Sequence, residues 1–298
     1  MCGARLDVPQ PESDSIIKDM RHPLVAIIIP VHNRVEATLQ CLQSVRCLDY
    51  QPHRVVVVDD GSSDGTASII RERFPEVELL SGDGNLWWSG AMNKGCRHAI
   101  CTGAECLFLL NNDVAVSPKS LSTLVSAHQA QPNALFGSRV VYAQRPHKVW
   151  CCGGRVDWSR RGAYMLQDGS PEAQLKEPFE VDWLPGMGTL VPATIYTALG
   201  GFDQTWFPQY FGDTDFCLRA RKAGIPVMVD PRSQLANDVQ STGLLLAPGR
   251  IRPADVLALT TSLRSHMNVR VRLRFLRRHC PAPLVPWQVL RTYVPFLT

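Results

Sequence analysis

Charge is scarce in this chain of 298 residues, at 19% of positions, and apolar runs are short. The longest, Leu24–Val31, includes Pro30. A membrane-crossing helix needs about twenty residues, so none is expected. The first twenty-odd residues carry Asp7, Glu12, Asp14 and Asp19 and no apolar stretch, so no secretory leader is expected either. None of the ten cysteines stands in a C-x2-C pair, which argues against a zinc knuckle. With no export signal, they read as reduced thiols of a cytoplasmic protein, several of them small core residues. A G-x-G-x-x-G turn after a strand is also missing, which disfavours a dinucleotide-dependent oxidoreductase. Pro30–Arg34 holds no glycine, which counts against the phosphate loop of a nucleotidyltransferase. Acid is nearly absent from one end. Residues 246–298 hold nine arginines against a single acid, Asp255, while the preceding part is mildly acidic.

The remaining composition, 45% hydrophobic with 21 Gly and 22 Pro, suits one large soluble domain or a domain with an appendage. Residues 1–22 lack periodicity and read as a loose tail. Leu24–Ile29, Val55–Val58, Val77–Leu80 and Cys106–Leu110 read as strands, the first two as fully buried ones. Helical spacing places helices at 35–48, Thr66–Phe74, Gly90–Ile100 and Pro118–Gln129. Alternation of apolar strands with helices predicts a mixed, mostly parallel sheet flanked by helices. Residues 145–185 read as a hairpin or long loop. A strand near Gly188–Val191, helices at Ala193–Leu199 and Asp213–Ala223, and a strand at Ile225–Val229 complete the domain, taken as 23–245.

Ligands of an open parallel sheet bind outside the carboxyl ends of its strands. There the sequence places Pro30-Val31-His32-Asn33-Arg34, Asp59-Asp60-Gly61-Ser62 and Asn111-Asn112-Asp113. Any one of these could be a cap or a turn; three together mark a binding edge. An amide and a carboxylate two residues apart on extended chain point the same way, and such oxygens suit Mg2+ or Mn2+ with a diphosphate. A second acidic pair, Asp213 and Asp215, follows the aromatic cluster Trp206, Phe207, Tyr210 and Phe211. Asp215 reads as helix capping or as an acceptor contact. Asp213 could act as a general base beside a sugar hydroxyl. Trp183, Gly186 and Met187 precede the late strand, where the tryptophan could stack on a sugar or simply pack.

The series Ile28–Arg34, Val57–Thr66, Gly84–Gly95, Leu110–Asp113, Gly200–Asp203 and Gly212–Ala220 resembles glycosyltransferase family 2, and within it is similar to rhamnosyltransferase-like members. The resemblance spans about residues 24–230. It implies a GT-A fold, a nucleotide-sugar donor and inversion by direct displacement. By position it implies that Pro30, His32, Asn33 and Arg34 line the nucleoside pocket. Asp59 would meet the N3–H of a uracil or thymine base, and Asn85 and Asn93 would lie along the nucleotide and sugar. Asp113 matches the last acid of the D-x-D motif and would hold Mn2+ or Mg2+. Asn111 replaces the first acid of that motif, and with Asn112 it would lie beside the ribose. Asp238 stands near the place of a late metal ligand, Asp213 is the implied base, and the usual Glu before it is Gly212.

The expected activity is transfer from a UDP- or dTDP-sugar, with rhamnose one candidate, to a glycan or lipid-linked glycan in surface polysaccharide synthesis. A decayed, non-catalytic nucleotide- or sugar-binding module is the alternative. The basic segment, 246–298, reads as an amphipathic helical appendage, helical over Asp255–Arg278; its arginines from Arg264 to Arg278 interleave with Leu263, Met267, Val269, Val271 and Phe275, and Trp287, Tyr293 and Phe296 follow. This pattern suits peripheral contact with an anionic membrane, packing on the main domain, or an oligomer contact. No nucleic-acid motif accompanies the charge.

Overall fold

The computed structural model describes residues 22–238 and 253–294. The expected tail, apart from His22, lies outside them, as do residues 246–252 and Phe296 of the basic segment.

Four strands form the parallel half of the sheet: β1 (Val25–Val31), β2 (His53–Asp59), β3 (Glu78–Ser81) and β4 (Cys106–Leu109). β1 pairs with β2 over seven residues, from Val25 opposite His53 to Val31 opposite Asp59, and with β4 on its other side. Alternate side chains of β1 serve opposite faces, as a strand requires. Val25, Ile27, Ile29 and Val31 pack with α1 (Val35–Arg46) and α2 (Thr66–Arg73), while Ala26 and Ile28 pack with α3 (Trp87–Cys101). A side chain at Gly95 of α3 would press into Ile28 and Val58, so glycine lets this helix lie close on the sheet.

The chain continues through β5 (Val114–Val116), α4 (Ser120–Ala130), β6 (Leu135–Tyr142), β7 (Arg145–Cys151), a hairpin of β8 (Gly154–Asp157) and β9 (Gly162–Met165), and β10 (Phe179–Glu180). Then come β11 (Thr189–Pro192), α5 (Ala193–Ala198), α6 (Gly212–Lys222) and β12 (Val227–Asn237). Sheet order is β10-β12-β6-β11-β4-β1-β2-β3, with β5 on β12 and β7 on β6. β11 joins the halves by running antiparallel to both β4 and β6. β12 runs parallel to β6 in a ladder broken by a bulge between Asp230 and Gln234.

The stretch 145–185, expected as a hairpin or a long loop, holds the β8–β9 hairpin together with β7 and β10. β6, a central strand, has no counterpart in the sequence reading. Gly137 and Arg139 interrupt its apolar run, and Gly137 is needed because Leu184 packs onto it.

Three helices close the molecule: α7 (Pro253–Thr261), α8 (Val269–His279) and α9 (Val285–Tyr293). The single basic helix expected over 255–278 is broken at 262–268. There Asn268 caps α8 by accepting from the Val271 amide at 3.0 Å. The apolar side of α8 faces inward, where Val271 and Phe275 bury against Phe207, and Phe275 stacks on Phe211 at 4.7 Å between ring centroids. No helix among the described residues is long and apolar enough to cross a membrane.

Candidate active site at the strand ends

The carboxyl ends of β1, β2 and β4 meet at one edge of the sheet, and a cavity of about 430 Å³ opens there. It is lined from β1 by Pro30 to Arg34, from the β2 end by Asp60, and beyond β4 by Asn111, Asn112 and Asp113. The three strand ends singled out from sequence therefore converge.

Hydrogen bonds fix these loops to each other. The Asn33 amide donates to Ser62 Oγ at 2.7 Å, and Asn33 Oδ1 accepts from the Ser63 amide at 2.9 Å. His32 Nδ1 lies 2.6 Å from the Asp60 carbonyl oxygen. The Asp60 carboxylate accepts from the amides of Gly84 at 2.8 Å and Trp87 at 3.1 Å, and so holds the start of α3 against β2. Asn33 (φ 60°), Arg34 (φ 65°) and Trp87 (φ 54°) are left-handed without being glycine, and all three line the cavity. Such strain collects at functional sites.

An ion pair spans the cavity. Arg34 Nη1 lies 3.3 Å from Asp113 Oδ2, whose side chain is 4% exposed. The Asp238 amide, just after β12, donates to the Asp113 carbonyl at 3.2 Å, which sets the two backbones together; Asp238 is outside the cavity lining, and its Oδ1 accepts from Gln144 at 2.9 Å. Asn111 Oδ1 accepts from Trp88 Nε1 at 2.9 Å, while Asn112 donates to Thr38 at 2.9 Å. Among the described residues no group of three or more His, Cys, Asp or Glu side chains forms a metal cage. The Asp113 carboxylate at the cavity fits a hard cation that takes most of its oxygens from water and a diphosphate.

The profile of glycosyl transferase family 2 matches residues 26–168, which carry most of this cavity. Residues 26–168 form a glycosyl transferase family 2 domain. It is 28% identical, across 86% of its length and 95% of the relative's, to the N-acetylglucosaminyl-diphospho-decaprenol L-rhamnosyltransferase of Mycobacterium tuberculosis. Its fold resembles that of the solved GalNAc-T7 with UDP, GalNAc and Mn2+ (TM-score 0.60, 14% identity), covering 74% of this chain and 44% of that one. It also resembles a mannosyltransferase of Pyrobaculum calidifontis with GDP-Man and Mn2+ (TM-score 0.59, 19% identity), covering 92% of this chain and 70% of that one. The architecture is the GT-A fold, and the protein is a glycosyltransferase.

Several implied site residues of this glycosyltransferase lie elsewhere. Asp59 is buried outside the cavity lining and accepts from the Ser62 amide at 3.0 Å; Asp60, its neighbour, takes the place at the edge. Asn85 is exposed and turns back to Asp83, whereas Gly84 reaches the lining. Asn93 is buried with all its polar capacity used. Its amide donates to Phe202 and Gln204, and its oxygen accepts from Tyr196 and Phe202, so it pins α3 to the loop before α6. Trp183 and Met187 are core residues, the former packed on Gly154. Asp215 is fully buried and accepts from Arg219, Arg278 and His279, so it meets no acceptor.

Asp213 does not line the cavity but adjoins it through Trp88. That ring lines the cavity on one side and packs on Gly186 on the other; the Gly186 amide donates to Asp213 Oδ2 at 2.9 Å. Burial pushes the Asp213 carboxyl above the usual aspartate range, against the hydrogen bonds of the Thr214 and Gly186 amides.

Sequence reasoning placed Asp60 at the binding edge but did not assign Trp87, Trp88, Gln209, Tyr210 and Arg264 to the site, and all of them line the cavity. Arg264 belongs to the C-terminal segment and reaches the cavity because its carbonyl accepts from Tyr210 Oη at 3.3 Å. A lone arginine in a basic tail carries no local signal for that contact.

Proposed function

We propose that this enzyme moves a sugar from a UDP- or dTDP-sugar to a lipid-linked glycan, inverting the anomeric carbon, with rhamnose a candidate sugar. The observation that carries the reading is the juxtaposition of Asp113, Arg34 and Arg264 around one cavity at the strand ends. A nucleoside diphosphate needs counter-charge there as it leaves. Arg34 and Arg264 supply two fixed cations. Asp113 and Asp238 would hold a divalent ion such as Mn2+ or Mg2+, which when bound neutralises charge on the diphosphate.

The nucleoside seats against Pro30, His32 and Asn33 at the end of β1. The acceptor hydroxyl attacks the anomeric carbon as the bond to the diphosphate oxygen breaks, and its proton passes to Asp213. Burial raises the affinity of Asp213 for that proton. Trp88 stands beside both groups, so its ring forms part of the wall against which the donor sugar and the acceptor meet. The acceptor class is suggested by the relative that covers most of the chain, whose name specifies a diphospho-decaprenol acceptor.

The test is calorimetry with UDP-, dTDP- and GDP-sugars, with and without Mn2+, followed by transfer assays on a lipid-linked acceptor. Tight binding of a UDP- or dTDP-sugar in the presence of Mn2+ is the expected result. Asp213→Asn should retain donor binding and lose transfer. A response to GDP-sugars alone overturns the donor assignment, and normal transfer by the variant removes Asp213 from the role of base.

A further inference from the structure

Helix α9 half-buries Val285, Val289 and Tyr293 but also turns apolar side chains outward. Its polar residue Gln288 is 2% exposed and donates to the Trp158 carbonyl, while Trp287 (50%), Leu290 (57%) and Val294 (43%) face solvent. These three lie three and four residues apart, on one side of the helix. Pro283 and Pro286 are also exposed and extend the side toward the start of the helix. A soluble surface helix normally shows the reverse arrangement, with its apolar stripe toward the core.

Arginines surround this face. Trp287 Nε1 donates to the Ser159 carbonyl at 3.2 Å, and Arg291 donates to the Arg161 carbonyl at 2.8 Å. Both contacts set α9 against the turn of the β8–β9 hairpin. Arg160 and Arg161 stand at that turn, and both are exposed, as is Arg291. The nearest carboxylate in sequence, Asp157, accepts from the Ser159 hydroxyl and the Arg160 amide within the turn. From Val256 to the end of the chain there is no acid at all. At the other end of α9, Tyr293 Oη donates to the Met267 carbonyl at 2.9 Å, three residues from the cavity-lining Arg264.

We infer that the outer face of α9, together with Arg160, Arg161 and Arg291, seats this glycosyltransferase on an anionic lipid bilayer. Trp287, Leu290 and Val294 enter the interfacial layer, and the arginines meet lipid phosphates. A tryptophan at such a boundary keeps its ring in the apolar layer and its N–H with a polar partner. Apolar side chains alone would serve a second copy of the chain as well, but three exposed arginines around them repel a copy and attract an anionic surface. The inference deepens the proposed lipid-linked acceptor, since a seated α9 holds the Arg264 side of the cavity near the membrane.

The experiment is co-sedimentation of the purified full chain with vesicles of phosphatidylglycerol and phosphatidylcholine, against vesicles of phosphatidylcholine alone. Binding to the mixed vesicles, weakened by salt, is expected. Leu290→Glu with Val294→Glu should abolish it. Arg160→Ala and Arg161→Ala should each weaken it about fivefold. All variants should keep the wild-type Tm and wild-type donor affinity in solution. Equal binding to both vesicle types, or unchanged binding by the Leu290/Val294 variant, overturns the inference. So does a dimer in light scattering that the same variant dissolves, in a protein that ignores vesicles. Donor binding is read separately, so failure of membrane seating and failure of the proposed transfer give different results.

Discussion

At the scale of single residues, the chemistry depends on where two carboxylates are held. Asp113 stands in the turn between β4 and β5 and lines a cation-bearing cavity; Asp213 begins a helix and accepts from backbone amides. Burial raises the proton affinity of Asp213, and a base must be ionised to work. The acid limb of kcat/KM for transfer should therefore lie above about pH 4, the ordinary aspartate value. A pH–rate profile checks it, and a limb below that value would dissociate the limb from Asp213. Gly186 is the second telling residue. Any side chain there would run into the Trp88 ring, whose Nε1 anchors Asn111. Gly186→Ala should displace Trp88 and cut transfer, with a stability loss of about 1–3 kcal/mol from overpacking. Thermal unfolding and a transfer assay together measure this. The position of Asp113 was legible in the sequence because its Asn-Asn-Asp run ends an apolar strand. The burial of Trp183 was not, because a tryptophan before a turn has the same local pattern whether it packs or binds.

Among the secondary-structure elements, α6 and α8 are joined by one buried carboxylate. Asp215 accepts from Arg219 at 2.9 Å on its own helix, and from Arg278 at 3.1 Å and His279 at 2.8 Å on α8. Burial opposes its charge, but His279, Arg219 and Arg278 outweigh that and hold its carboxyl below the usual range. A depressed native pKa stabilises the fold above the unfolded value, near pH 4, and the contribution fades as pH falls through the native pKa. Asp215→Asn should cost about 3–5 kcal/mol at neutral pH, because it strands buried cations. The gap in Tm between wild type and variant should narrow as the solution is acidified below pH 4, and a constant gap would count against the ionised hub. Sequence alone assigned Asp215 to capping or to the acceptor because its partners on α8 lie more than sixty residues away. Strands β1 to β4 and helices α1 to α4 were legible for the opposite reason: each carries its own local apolar pattern, as in Val25–Val31 and Val35–Arg46, whereas the three-residue β5 is too short to carry one. β6 was not, since Gly137 answers to Leu184, a residue far along the chain.

For the whole molecule, composition sets the basic C-terminal segment off and leaves membrane contact, an oligomer contact or packing on the main domain open. The structure packs it on the domain: α8 closes a third apolar cluster and Arg264 lines the cavity. Phe275 packs against Phe207 and Phe211, and Arg278 pairs with Asp203 at 2.8 Å while lying 4.3 Å from the Trp206 ring centroid. Removing the segment exposes these aromatics and removes a cation from the cavity together, so two variants are needed to separate the effects. A chain ending at residue 252 should lose several kcal/mol, since burial of each large apolar side chain contributes about 1.5–3 kcal/mol, and its Tm should fall accordingly. Arg264→Ala in the full chain should keep its Tm and weaken donor binding by roughly ten- to a hundredfold, the range for a hydrogen bond to a charged group. Calorimetry with the donor and thermal unfolding, run on both variants, assign the two roles. Unchanged donor affinity in Arg264→Ala would leave the segment as a brace for the fold and move the diphosphate contact to Arg34 alone.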